Sequence, residues 1–101
     1  MVTEQEIGVK CIMLWGESDQ IRQTVEECAE LITVLAKYGR NVNGSTKEQI
    51  CEELADVEIM LNQMKIIFDK DMIQSFKNLK LARLNERVVN EAKDKVKLQE
   101  K

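Results

Sequence analysis

The chain has no proline and no histidine, and among 101 residues it has only four glycines, one tryptophan, one tyrosine and two phenylalanines. Without proline and with few glycines, little interrupts a helical pattern. The lack of histidine excludes Ser–His–Asp chemistry, histidine general bases and most catalytic zinc sites. The three cysteines, Cys11, Cys28 and Cys51, are odd in number and widely spaced. They form neither a disulfide framework nor a zinc pattern, and buried free thiols are expected. No apolar run approaches the length of a membrane span. The start, Met-Val-Thr-Glu-Gln-Glu, is acidic where a secretory signal is basic and then apolar, so a cytoplasmic protein is expected.

What is present is helical and charged. Hydrophobic residues make up 44% and charged residues 33%, a mix that suits a globular helical chain. The length suits one domain over residues 1–101, with a core at about 15–89 and a charged tail at 90–101. So short a chain buries a limited core, and long helices with apolar stripes gain from self-association, so a homo-oligomer is expected. Net charge is −3, but residues 1–60 carry 5 Lys+Arg against 12 Asp+Glu, whereas residues 61–101 carry 10 against 6. An acidic half beside a basic half suits an anionic ligand that also needs a metal. The acidic balance, without a reading motif, argues against nucleic acid as a partner.

Four helices are predicted, at about Thr3–Trp15, from Ser18 or Asp19 to Tyr38, Thr46–Phe68 and Met72–Val89, with the tail fraying. The second carries an apolar seam of Ile21, Val25, Cys28, Ile32 and Leu35. The third carries Ile50, Leu54, Val57, Leu61, Met64 and Phe68. Gly39 to Ser45 reads as a turn, and Ser45 with Glu48 forms a capping-box pattern. No stretch alternates with the period of a strand, so the fold class is all-α.

The chemistry lies in two carboxylate pairs. Glu27 and Glu30 sit in the second helix, Glu53 and Asp56 in the third, each pair spaced i,i+3 on one helical face. Two antiparallel helices joined by a short turn bring the pairs to comparable heights. Four carboxylates together repel, and an oxygen-preferring divalent cation resolves the repulsion: Mg²⁺ by preference, with Mn²⁺ as a substitute. The competing reading is a solvated helix hairpin. On the fourth helix Lys77, Lys80, Arg83 and Arg87 form one basic row, either a phosphate holder or a solvated face. Trp15, beside the break at Gly16, either stacks on a base or packs as a core or interface side chain. Gln20 and Gln23 either read a base edge or face water.

Glu26-Glu27-Cys28-Ala29-Glu30, followed after 22 residues by Glu53-Leu54-Ala55-Asp56, resembles the EExxE…ExxD signature of the MazG-like all-α nucleoside triphosphate pyrophosphohydrolases. Trp15-Gly16, Gln20 and Gln23 are similar to the family's lead-in, and Lys80-Leu81 with Arg87 to its basic last helix, so the resemblance covers about residues 15–88. It implies a four-helix bundle of the all-α NTP pyrophosphatase type, assembled as a homodimer or homotetramer. It also implies a house-cleaning hydrolase that cuts a (d)NTP between the α- and β-phosphates to give a (d)NMP and pyrophosphate. By position, Glu27, Glu30, Glu53 and Asp56 would ligate Mg²⁺, and Glu26 would either support these ligands from behind or place the attacking water. Lys80 and Arg87, with Arg83 and Lys77, would hold the triphosphate. Gln63 would stand where some relatives have a nucleotide-contacting Asn. Leu84 departs from the family, many members having Asn there. Alternatives are a phosphoribosyl-ATP pyrophosphohydrolase, a dUTPase-like relative, or a non-catalytic helical oligomerisation module.

Overall fold

The computed structural model describes residues 1–100. It is all-α, with α1 at Glu4–Trp15, α2 at Glu17–Lys37, α3 at Lys47–Ile67 and α4 at Lys70–Glu100. No strand occurs among the described residues. No helix among them is long and apolar enough to cross a membrane. The chain divides into two compact units, Met1–Phe68 and Asp69–Lys101.

In the first unit α1, α2 and α3 pack on one another, with the α2–α3 pairing the most extensive. Gln20, early in α2, meets Gln63, late in α3, while Glu27 and Glu30 meet Glu53. The two helices are therefore antiparallel, as a short connection requires. Gly8 sets the approach of α1 to α3. A Cβ built there would stand 2.9 Å from Ile66 Cδ1 and 3.4 Å from the Asn62 amide nitrogen. A side chain there would require the end of the Ile66 side chain to shift, so the two helices approach closely at this point.

Two helix starts differ from the sequence expectation, each for a local reason. Gly16 closes α1 and opens α2 at once, with φ +91°. Glycine reaches that conformation without the Cβ penalty, so the junction takes one residue. Ser18 and Asp19 are consequently inside the first turn of α2 rather than capping it, and no side-chain cap is made. The capping box of α3 belongs to Thr46 and Gln49, not Ser45 and Glu48: Gln49 N donates to Thr46 Oγ1 at 3.2 Å and Thr46 N to Gln49 Oε1 at 2.8 Å. Ser45 instead closes the turn, its N–H donating to Lys37 O at 3.4 Å. Gly44 makes that turn possible, because a side chain there would collide with the Arg40 carbonyl.

α4 is longer than expected. Asp69 Oδ1 accepts from the N–H groups of Asp71 and Met72 and caps its start, and the helix continues through residues 90–100 instead of fraying. That segment has no glycine or proline, is rich in Lys and Glu, and follows an i,i+4 pair in which Arg87 Nε donates to Glu91 Oε1 at 3.0 Å. Position 101 lies outside the described residues.

The core of the first unit is small. Among the described residues only Val57 and Met60 are buried apolar side chains, and Gln20 and Gln63 are buried beside them. Most of the apolar seam of α2 is exposed, with Cys28 half-buried. Val25 and Ile32 are 64% and 66% exposed, and Ile21 and Leu35 are exposed too. The row facing α3 is one step round the helix and includes Gln20, Gln23, Glu27, Leu31 and Val34. On α3 the expected seam is divided: Val57 is buried and Ile50 and Met64 are half-buried, while Leu54, Leu61 and Phe68 are exposed, and Glu53, Asp56 and Met60 also turn inward. The cysteines are free, but Cys51 is exposed and Cys11 and Cys28 are half-buried.

Candidate metal centre and adjoining cavity

Antiparallel pairing places the mid-section of α2 against the first half of α3, and the acids meet there. One carboxylate oxygen from each of Glu27, Glu30 and Glu53 lies within 4.8 Å of the other two. Glu27 and Glu53 are half-buried and Glu30 is exposed. Asp56, half-buried one turn beyond Glu53, stands outside this tight trio. Its charge still reaches the trio and raises the carboxyls of both Glu27 and Glu53.

The electrostatics are those of crowded acids. The Glu27 carboxyl is pushed above its ordinary 4.5, first by burial; the Gln23 hydrogen bond works the other way, and Glu30 and Asp56 add to the rise. Glu53 is raised by burial, then by Glu30, Asp56 and Glu27. The Oε2 atoms of Glu27 and Glu53 are buried and have no hydrogen-bond partner. A buried carboxylate oxygen without a donor is costly. These orphaned oxygens and the all-oxygen donor set fit a hard divalent cation, which takes oxygen ligands and neutralises the repulsion.

A cavity of about 630 Å³ adjoins the trio along α2. It gathers Trp15, Gln20, Gln23 and Gln63, the four residues singled out in the sequence for base or sugar contact, over a floor that includes Ile59 and Met60. Gln20 Nε2 donates to Gln63 Oε1 at 2.6 Å, and both side chains are nearly fully buried. Trp15 is 56% exposed. Gln23 Nε2 donates to Glu27 Oε1 at 2.9 Å, so this residue belongs both to the cavity wall and to the acidic cluster. Glu26 lines the cavity and is exposed, outside the trio.

Arg22 and Asp19, which the sequence reading missed, also line the cavity and form an exposed i,i+3 ion pair at 3.6 Å. Asn62 was missed as well. Its Nδ2 is buried without a partner, and it lines a separate cavity of about 270 Å³ with Glu4, Gly8 and Gln63. The one available signal was its place beside Gln63 in the chain. On α4, within the second unit, Lys77, Lys80, Arg83 and Arg87 are all exposed. Lys77 and Lys80 border an apolar groove formed with Phe76, Leu81 and Leu84, and Arg87 is engaged with Glu91.

Comparison with protein-family models, with curated proteins and with solved structures gave no match, so the reading of this centre rests on its own residues.

Proposed function

We propose that this chain is a Mg²⁺-dependent nucleoside triphosphate pyrophosphohydrolase, cutting a (d)NTP between the α- and β-phosphates. The observation that carries the reading is the trio of Glu27, Glu30 and Glu53, with two buried oxygens that no donor satisfies. Mg²⁺ characteristically shares its shell between a few carboxylates and substrate phosphates. When bound it would neutralise phosphate charge and lower the pKa of an attacking water. Glu27, Glu30 and Glu53 would hold it, with Asp56 contributing charge or a ligand. Glu26, on the cavity side, would orient the water.

The cavity supports a nucleotide over a simple phosphate. Trp15 offers an aromatic face and the Gln20–Gln63 pair offers amide groups for a base or sugar. Lys77, Lys80, Arg83 and Arg87 of α4, in the second unit, are exposed cations of the kind that hold phosphate oxygens. Phosphoryl transfer asks for positioning and charge neutralisation more than for a protein nucleophile, so the lack of histidine is no obstacle.

The test is product analysis. With Mg²⁺ and a panel of (d)NTPs, the protein should release pyrophosphate and a monophosphate, and Glu53→Gln should abolish this with helicity unchanged. Release of single phosphates, or full activity in Glu53→Gln or Asp56→Asn, would overturn the assignment. The same panel, extended to dUTP and phosphoribosyl-ATP, separates the narrower substrates. A purely structural oligomerisation module is the second reading, favoured by the exposed seam on α2. Calorimetric titration with Mg²⁺ and a non-hydrolysable dNTP decides it, because tight cation-dependent binding is incompatible with a role in assembly alone.

A further inference from the structure

We infer that Gln23 is a positioning residue for the cation: its amide presets the Glu27 carboxylate. The inference rests on the cation reading of the trio. A carboxylate only accepts hydrogen bonds, so the amide nitrogen of Gln23 is the atom that must face Glu27. It does so at 2.9 Å, from one helical turn earlier on the same face of α2. The bond engages Glu27 Oε1, while Oε2 is buried with no partner.

The two half-buried acids of the trio differ in this respect. Glu27 is anchored through one oxygen and has the other free. Glu53 has no amide donor of this kind among the described residues, and its Oε2 is likewise buried and unpartnered. The neighbouring carboxylates repel Glu27, so without the Gln23 donor its side chain would favour rotamers that swing away from the cluster. A cation would then have to gather the ligand as well as bind it. Partners that orient metal ligands are typically worth about 10- to 100-fold in affinity. With one N–H committed to Glu27, the orientation of the Gln23 amide is set by the acidic cluster, and its second N–H and carbonyl oxygen follow from that orientation.

Mn²⁺ binding followed by electron paramagnetic resonance of the free ion tests this without a turnover assay. Gln23→Leu should weaken Mn²⁺ binding about 10-fold or more. In a Glu27→Gln background the same substitution should change the affinity by less than about 2-fold, because the group it positions is gone. Circular dichroism checks that the variants are folded, and Gln23→Met replaces Gln23→Leu if the latter is not. An unchanged affinity in Gln23→Leu, or an equal loss in both backgrounds, overturns the positioning role while leaving the cation site intact. Absence of Mn²⁺ binding by the unsubstituted protein overturns the site itself, and this inference with it.

Discussion

The amide of Gln20 donates to the amide of Gln63 at 2.6 Å, joining α2 to α3 across a sequence separation of 43 residues in a region where both side chains are all but buried. Two polar groups hold the place that two apolar side chains take in most helix pairs. Their bond fixes the register of the helices, and that register brings Glu27 and Glu30 to the height of Glu53.

Breaking this pair should be costly from either side. Gln20→Leu or Gln63→Leu removes one partner and leaves a buried amide unsatisfied, a loss of about 1–3 kcal/mol. The double variant replaces both partners by apolar groups and should lose less than the two single losses added together. Urea unfolding of the four proteins measures the difference. Strict additivity would mean that the two amides do not act as a pair.

The cap of α3 makes a cleaner local test. Thr46→Ala removes the hydroxyl that accepts from Gln49 N and should cost about 1 kcal/mol. Ser45→Ala should cost much less, since Ser45 contributes a backbone N–H to the turn and that group survives the substitution. Thermal unfolding of the two variants compares them directly, and the opposite order would restore the Ser45–Glu48 box.

Helix number and approximate extent were legible because the apolar and acidic residues recur with helical spacing and nothing in the chain breaks the period. The meeting of Glu27 and Glu30 with Glu53 was legible too, from the short turn at residues 39–45. Helix ends were less so. Ser45 and Thr46 both begin a capping-box pattern, and only the closure of the preceding turn on Lys37 decides between them. The facing of α2 was ambiguous for a related reason. Its apolar seam and its row of Gln20, Gln23 and Glu27 are both helical stripes, and the period alone does not say which one meets α3. The Gln20–Gln63 bond was invisible, because it depends on the exact register of two helices. Asp56 shows the limit for the site: its spacing matched Glu30, yet it stands outside the tight trio.

The exposed seam predicts self-association. Val25 and Ile32 are each roughly two-thirds exposed, and Val57 and Met60 are the only buried apolar side chains among the described residues. Burying one large aliphatic side chain is worth about 1.5–3 kcal/mol, so a second copy covering the seam would gain from each one it buries. The protein should sediment as a dimer or larger, and Ile32→Glu should shift it toward monomer. Sedimentation velocity over a range of concentrations measures both. A monomeric unsubstituted protein would sink the expectation of a homo-oligomer.

Acid crowding predicts an unusual pH dependence. Glu27 and Glu53 are raised above the ordinary 4.5 by burial and by their neighbours, so the folded protein holds their protons more tightly than the unfolded chain does. Their contribution to stability is therefore full below about pH 4.5 and is lost as pH climbs through the raised values. This is the reverse of a carboxylate held by a cationic partner. In the presence of a chelator, the unfolding temperature should sag from about pH 4.5 upward by more in the unsubstituted protein than in Glu53→Gln, which has one ionisable acid fewer in the cluster. At neutral pH, Mg²⁺ or Mn²⁺ binds the deprotonated carboxylates of the folded state and should raise the unfolding temperature again. Glu53→Gln should respond much less to the added ion. Thermal melts across pH, with chelator and then with cation, give both comparisons. Parallel pH profiles for the two proteins, or an equal cation response, would show that Glu53 is not part of a strained acidic centre.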